Sequence, residues 1–539
     1  MRSFSSLMNR FRRDQRGNIA VIFAIACIPL ISAIGCAIDY SEATRIKAKL
    51  QSGADAAAVA SISQRSQGWL AASTMTTDGA VAVAETDANN IFDGNVKNAG
   101  TNYTNGSRTS VVMKTGATLT ATVNFTADVP VTFMKAVGFQ KLTVSGVSKA
   151  SVTMPLYLDF YLMLDVSGSM GLPSTQAEQN RLSAVNPDNF SNYPTGCTLA
   201  CHFAVQNVCS NGSQKYQTNN YCMGYAYSRL SQSALTTLIN QASTPSLPKS
   251  KPGLPNAMLT NLNATVTLGS PNSLLTGNVN SLPYSLTAAT SCPTEGTDAC
   301  IQLRADAVGY AVNQLIATAN NKQIVANQFR IGLYPFIQNL YAYFPLTSSI
   351  NGSPTNTSTI NYAAANLATQ LDTNTNSNLG SGGTHIDTSL ATLNTTYIKS
   401  VGNGSSPTNT LPYVFLVTDG AQDPQTKTLN TSGGWAGSNH ATTIATNPSP
   451  CAALKSRGII VSVLYIPYEP ISPVNSSFAN DEDDAANNNI PKIPPSLQAC
   501  ASPPDAGGSY FYTANTPTDI NTALNAMFNH SIQTAHLTN

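Results

Sequence analysis

Three oxygen-bearing side chains crowd into the segment DVSGSM, where Asp165, Ser167 and Ser169 follow directly on the apolar run LYLDFYLML. A strand ending there delivers all three from one loop, and Gly168 lets the backbone turn tightly between them. Carboxylate and hydroxyl oxygens at that spacing suit a hard divalent cation. Mg2+ fits best, with its near-octahedral oxygen ligands, few carboxylates and retained waters; Mn2+ and Ca2+ accept the same kind of donor. In a serine-rich chain the same residues also describe an Asx or Ser turn that caps the next helix. Two further segments favour the cation. SGGTHIDTSL sets Thr384 in a glycine-rich loop just before a helix, and YVFLVTDG sets Asp419 immediately after a strongly apolar strand. All three loops fall at strand ends or helix starts, which a doubly wound sheet gathers onto one face.

Other acidic residues read more simply. Asp387 suits the start of a helix, where the dipole favours it. Asp423 reads as a solvated turn, with a supporting role at the cation as the alternative. The run Asp481-Glu482-Asp483-Asp484 lacks the glycine and the alternation of a calcium loop, so it reads as a solvated loop. Enzyme signatures are missing: the sequence holds no G-x-x-x-x-G-K-[ST] phosphate loop, no H-E-x-x-H and no G-x-S-x-G nucleophile elbow. Five histidines, three of them late in the chain, give Ser167 no obvious base. The chain reads as a non-enzyme, with a metal-dependent enzyme as the remote alternative.

The elements that would hold these loops alternate from Pro155 onward. Strands are expected at Leu156–Leu164, Arg330–Gln338, Pro412–Thr418, Ile459–Ile466 and Ser509–Thr513. Helices are expected at Asp298–Ala319, Ile360–Leu371, His385–Lys399 and Thr518–His530. In the first of these, Ile301, Ala305, Val308, Val312, Leu315 and Ile316 make one helical stripe. Such alternation predicts an α/β unit over 155–539, a doubly wound and mostly parallel sheet covered on both faces. Residues 171–297 are too long for a connection and hold five cysteines, with Cys300 just beyond, so they read as a Cys-rich insertion beside the functional face.

The N-terminal part has a different character. Arg2, Arg10, Arg12, Arg13 and Arg16 precede an uncharged stretch, NIAVIFAIACIPLISAIGCAI, residues 18–38. As a helix that stretch spans roughly 30 Å, the thickness of a hydrocarbon core. The arginines place residues 1–17 in the cytoplasm as a basic tail and everything from Asp39 outside, by the positive-inside rule. Pro29 is tolerated in such a span. A cleaved signal peptide shares this pattern, but the apolar run exceeds the usual h-region and the helical pattern continues beyond it. From Tyr40 to about Ser66 the residues Ile46, Leu50, Ala54, Ala57 and Ile62 recur near one helical face. Thereafter Ser110–Met113, Leu119–Phe125 and Leu142–Val152 alternate as short strands, so 39–154 reads as a helical stalk with a small α+β unit.

Composition agrees with export. Only 10% of the 539 residues are charged, against roughly 25% in ordinary soluble domains. Lys and Arg number 28 against 27 Asp and Glu, which leaves no basic field to hold nucleic acid. Of ten cysteines, Cys27 and Cys36 lie in the span, leaving an even number outside, which favours disulfides. Pairing Cys292 with Cys300 and Cys451 with Cys500 is one connectivity the sequence allows. Cys197, Cys201, Cys209 and Cys222 pair in turn, or hold zinc with His202; the C-x3-C spacing and an oxidising setting favour disulfides.

Two resemblances sharpen this reading. The segments FRRDQRGNIAVIFAIACIPLISAIGCAIDYSEATRIKAKLQSGADAAAVA and VPVTFMKAVGFQKLTVSGVSKASV resemble the N-terminal region of TadE/TadG-like proteins of the Flp (tight adherence) pilus machinery. Type IV-like pilins carry a Glu five residues after the processing site, where this chain has Ile22 after Gly17, so the likeness is to an anchored TadG-type component. The elements D-x-S-x-S, Thr and Asp, in this order, resemble the metal-ion-dependent adhesion site of the von Willebrand factor A (vWA) family. That resemblance implies a vWA/Rossmann-like fold, hydroxyl ligands from Ser167, Ser169 and Thr384, and Asp165 and Asp419 acting directly or through water. It also implies a coordination position for a partner protein's carboxylate. Together they imply a single-pass protein of the bacterial inner membrane, mostly periplasmic, that serves pilus or secretion components; a surface adhesin unrelated to pili is the alternative.

Overall fold

A long apolar stretch followed by an amphipathic stripe, with no glycine pair or proline strong enough to stop it, runs into one helix in the computed structural model: α1, Asn18–Ser61, continuous through Pro29. The structure describes residues 18–97, 102–185, 228–233, 265–267, 285–287, 289–372, 376–380, 382–422, 449–467, 470, 487–488 and 490–537. The chain divides into two compact units, Met1–Met154 and Pro155–Asn539.

In the first unit the two halves of α1 differ. Val21, Phe23, Ile25, Ile28, Ile31 and Ile34 are exposed, which makes this helix long and apolar enough to cross a membrane. Ala43, Ile46, Leu50, Ala54 and Ala57 instead form a buried stripe. They pack with α2 (Gln67–Thr74) and α3 (Ala82–Lys97) on a four-stranded antiparallel sheet. Its strands, in spatial as in chain order, are β1 (Gly79–Ala80), β2 (Thr104–Thr115), β3 (Thr118–Pro130) and β4 (Lys141–Thr153). Strict alternation turns Leu119, Ala121, Val123, Phe125, Ala127 and Val129 of β3 inward. The sequence reading missed α2 and α3. Ser66 caps α2 by accepting the Trp69 N–H, and α3 buries only the narrow stripe Ala84, Ala88, Phe92 and Val96 among polar residues.

The second unit is a six-stranded sheet built around β5 (Leu158–Asp165), all of whose residues are buried. Its partners are β6 (Phe329–Phe336), β7 (Phe344–Thr347), β8 (Leu411–Thr418), β9 (Ile460–Tyr465) and β10 (Phe511–Thr513). The order is β10-β9-β8-β5-β6-β7, parallel except for the edge strand β7. One face is covered by α4 (Arg304–Lys322) and the terminal helix α5 (Pro517–Leu537); Phe528 of α5 meets the ring of Phe160 at 5.1 Å. The opposite face carries α6 (Ile386–Thr392), α7 (Pro450–Ser456) and α8 (Ile493–Cys500), whose apolar residues pack on Tyr161, Met163, Val414, Leu416, Val461 and Val463. This is the predicted doubly wound α/β arrangement.

Element boundaries differ where polar groups intervene. Helix α4 begins at Arg304 rather than Asp298, because Asp298 accepts hydrogen bonds from Ser231 and Ser233, while Asp306 receives the Leu303 N–H and an Arg229 fork at 2.9 and 2.6 Å. The disulfides Cys292–Cys300 and Cys451–Cys500 are both formed. Most of 171–297, with Cys197, Cys201, Cys209, Cys222 and His202, lies outside the described residues, as do Asp423 and the run 481–484.

Candidate metal centre

Chain order decides where this sheet can hold a ligand. From β5 the chain passes to β6 and β7 on one side, then returns to β8 on the other, so the ends of β5 and β8 flank a topological switch point. Asp165 is the last residue of β5, and Asp419 immediately follows β8. The strands run parallel with Leu164 opposite Val417, which brings the two carboxylates to the same edge of the sheet.

Beyond β5 the backbone enters a single 3-10 turn, Gly168–Gly171, in which Ser167, Ser169 and Met170 are all buried. Asp165 Oδ1 accepts the Ser167 N–H at 2.9 Å, and the Ser167 and Ser169 hydroxyls lie 3.3 Å apart. The Asx turn considered as an alternative to a metal loop is therefore present; it aims both hydroxyls together instead of replacing the site. Asp165 Oδ2 accepts the Thr418 hydroxyl at 2.5 Å.

Thr384 lies on a third loop, just before α6. Gly382 and Gly383 have φ of 88° and 73°, a left-handed path that side-chain-bearing residues resist. The Gly382 N–H donates to Asp372 Oδ2 at 2.8 Å, and the Asp372 N–H donates to the carbonyl of Val166 at 3.0 Å. On the far side His385 N–H binds the carbonyl of Ile337 just past β6, and Asp387 N–H binds Gln422 Oε1 at 3.0 Å. The Thr384 loop is thus tied to the loop carrying Asp165 and to the one carrying Asp419. In the Asp419 loop Gly420 has φ 78°, and a Cβ there would meet Ile493 at 2.5 Å and Leu497 at 2.7 Å.

Asp165, Ser167, Ser169, Thr384 and Asp419 are all fully buried, at 0% exposure, and the electrostatics of the cluster are unbalanced. Burial pushes the Asp165 carboxyl up to about 7, helped by the charge of Asp419 and opposed by Ser167 and Thr418. Asp419 is likewise raised by burial, against the pull of Arg304. Neither oxygen of Asp419 closes a hydrogen bond with a described residue, although Ser169 and the Ala421 amide lie near enough to favour its ionised form. The Thr384 hydroxyl, too, has no hydrogen-bond partner among the described residues. Buried oxygens left without donors are costly, and a cation among them would satisfy all of them at once. No three His, Cys, Asp or Glu side chains among the described residues cluster as a metal site. The donors here are instead two carboxylates and three hydroxyls, a set that fits a hard cation.

Two residues that the sequence reading passed over belong to this centre. Thr418 bridges Asp165 and the Gly420 N–H, which it accepts at 2.8 Å; its place between an apolar strand and Asp419 was the available signal. Arg304 opens α4 with Nη1 3.9 Å from Asp419 Oδ2 and only 10% of its side chain exposed. Its backbone N–H donates to the carbonyl of Leu172, so the start of α4 is fixed to the segment that leaves the DVSGSM turn.

Comparison with known proteins adds the following. The Tad family, described as Flp pilus-assembly TadE/G-like, matches residues 17–64, which confirms the TadE/G-like character of the N-terminal segment. No curated protein matches the chain. Among solved structures, the vWF domain of the type V pili tip protein Mfa5 from Porphyromonas gingivalis is 14% identical, over 44% of this chain and 89% of that one, at a TM-score of 0.24. The PilB minor pilin from Streptococcus sanguinis is 10% identical, over 80% and 78%, at 0.28. A mussel byssus structure, proximal thread matrix protein 1 with a zinc-occupied MIDAS motif, is 15% identical over 42% of this chain, at 0.23. This chain spans 43% of the length of that byssus protein.

Proposed function

We propose that the chain is a non-enzymatic, membrane-anchored pilus-assembly or adhesion factor that engages a partner protein through a divalent cation. Asp165, Ser167, Ser169, Thr384 and Asp419 hold the cation. The observation that carries this reading is the set of buried oxygens with no donor among the described residues: Thr384 Oγ1 and both oxygens of Asp419, in loops tied to the one that presents Asp165. When bound, Mg2+ or a similar ion supplies an electrophilic position for a carboxylate of the partner. The protein's own groups do the rest. Thr418 and the Ser167 N–H orient Asp165, and the paired glycines present Thr384.

The Ser167 hydroxyl lies 3.3 Å from that of Ser169, the pairing expected of two oxygens that share a cation. The TadE/G-like match over 17–64 and the apolar half of α1 support a pilus-related role at a membrane. The arginines before residue 17 put the N-terminus in the cytoplasm and the cation-binding unit in the periplasm, with the chain crossing the inner membrane once.

A pull-down from bacterial envelope extract tests the cation bridge, with the wild type in Mg2+, the wild type in chelator and Asp419→Ala in Mg2+. The expected result is a set of partners captured only in the first. Equal capture in all three would sink the mechanism.

A further inference from the structure

The connection between β3 and β4 folds back onto α1 at the outer end of its apolar half. Asp39, the first charged residue after the span, accepts the backbone N–H groups of Thr132, Phe133 and Met134 at 3.0, 2.8 and 2.7 Å. Phe133 lies against Gly35, where an added Cβ would come within 2.4 Å of the Phe133 Cβ. Gly35 sits inside the apolar run, about 4.5 Å of helix rise short of Ile38. A segment more than ninety residues away in sequence is therefore fixed at the level where the span ends.

What this segment presents is unusual for a loop of a soluble domain. Phe133, Val137 and Phe139 are 44%, 48% and 54% exposed, and Tyr40 on the neighbouring turn of α1 is 68% exposed. Lys135 and Lys141 stand among them; Lys141 forms an ion pair with Asp128 while its side chain remains 55% exposed. Apolar and aromatic side chains interleaved with lysines are the composition of elements that lie in a membrane interface. Their height beside Gly35 and Asp39 puts them where acyl chains give way to headgroups if α1 spans the bilayer.

We propose that the Phe133–Phe139 turn is a second membrane contact, inserting Phe133, Val137 and Phe139 into the phospholipid bilayer beside α1. Phe133 lies against Gly35, between exposed Ile34 and Ile38 of the apolar half of α1, so the turn adjoins the surface that lipid covers, and lipid is the occupant rather than a protein partner. The contact holds the first unit at a fixed depth, because the Asp39 bonds couple the turn rigidly to the span. It rests on the reading of α1 as a membrane helix.

Brominated lipids provide the test. The full chain is reconstituted into phosphatidylcholine/phosphatidylglycerol vesicles with bromines either near the headgroup or near the chain end, using Phe139→Trp, Phe23→Trp and the wild type. The wild type supplies the background from Trp69 and Trp435. Phe139→Trp should lose emission to the shallow bromines more than to the deep ones, and Phe23→Trp should be quenched as well. Quenching of Phe23→Trp alone would overturn the second contact and leave the span intact. Quenching of neither would overturn both.

Discussion

The Thr418 hydroxyl donates to Asp165 Oδ2 at 2.5 Å while accepting the Gly420 N–H at 2.8 Å, so one threonine fastens together the two loops that carry the buried carboxylates. Thr418→Val keeps the shape and removes both bonds. Divalent-cation affinity should fall about 10–100-fold, as when an orienting partner of a ligand is lost. Stability should fall by about 1–3 kcal/mol, because Asp165 Oδ2 and the Gly420 N–H stay buried without partners. Calorimetric titration with Mg2+ and Mn2+ measures the first and denaturant unfolding the second. Unchanged affinity with lowered stability would make Thr418 a packing residue.

Arg304 places a permanent positive charge 3.9 Å from Asp419 without a hydrogen bond between them. At that separation the attraction is about 4 kcal/mol for an effective dielectric constant of 20. It partly offsets the repulsion between the carboxylates, but an entering cation meets it as like charge. Arg304→Met should therefore tighten divalent-cation binding by about tenfold, roughly 1.4 kcal/mol, and destabilise the protein in chelator. Weaker cation binding would show instead that Arg304 organises the loop.

The fold was legible where a single signal dominated. The strands β5, β6, β8 and β9 are short apolar runs buried on both faces, and their residues leave little else to be. The five residues proposed to hold the cation stood out in the sequence because each loop joins an oxygen side chain to a glycine or to a strand end. What escaped is set by long-range partners. Asp372 ties the Thr384 loop to the loop carrying Asp165, and Gln422 ties it to the loop carrying Asp419, through hydrogen bonds between residues distant in sequence. Arg304 falls inside the helix expected from Asp298, and only the fold shows that it opens α4 near Asp419. Helix α8, with two prolines in its first turn, offered too weak a periodicity to be seen.

Asp128 joins β3 to β4 from the first unit, accepting hydrogen bonds from Lys141 at 2.5 Å, Thr143 at 2.7 Å and Asn105 at 3.0 Å. Lys141 foremost, then Asn105 and Thr143, hold its carboxyl down to about 2. With the folded pKa depressed below the ordinary 3.8, the contribution to stability is present above that value and disappears as pH falls toward 2. Asp128→Asn should accordingly lower the melting temperature of the first unit at neutral pH and cost progressively less on acidification. Melts followed through the buried Trp69 at several pH values would show this convergence. A cost independent of pH would assign the loss to packing.

The Cys451–Cys500 bridge ties α7 to α8 across 49 residues, and α8 supplies the surface on which the Asp419 loop rests. Ile493 and Leu497 fill the space where Gly420 has no side chain, so the position of α8 limits where Asp419 can point. Closing a loop of that length is worth about 2–4 kcal/mol. A Cys451→Ala/Cys500→Ala double variant should unfold at lower denaturant concentration and also bind Mg2+ more weakly, because a looser α8 lets the Asp419 loop drift from the Thr384 loop. Reduction of the wild type should reproduce both effects. The shorter Cys292–Cys300 bridge, spanning 8 residues, closes a smaller loop and should cost less stability when removed. Loss of stability with cation affinity intact in the double variant would mean that β8 alone, without α8 behind it, aims Asp419.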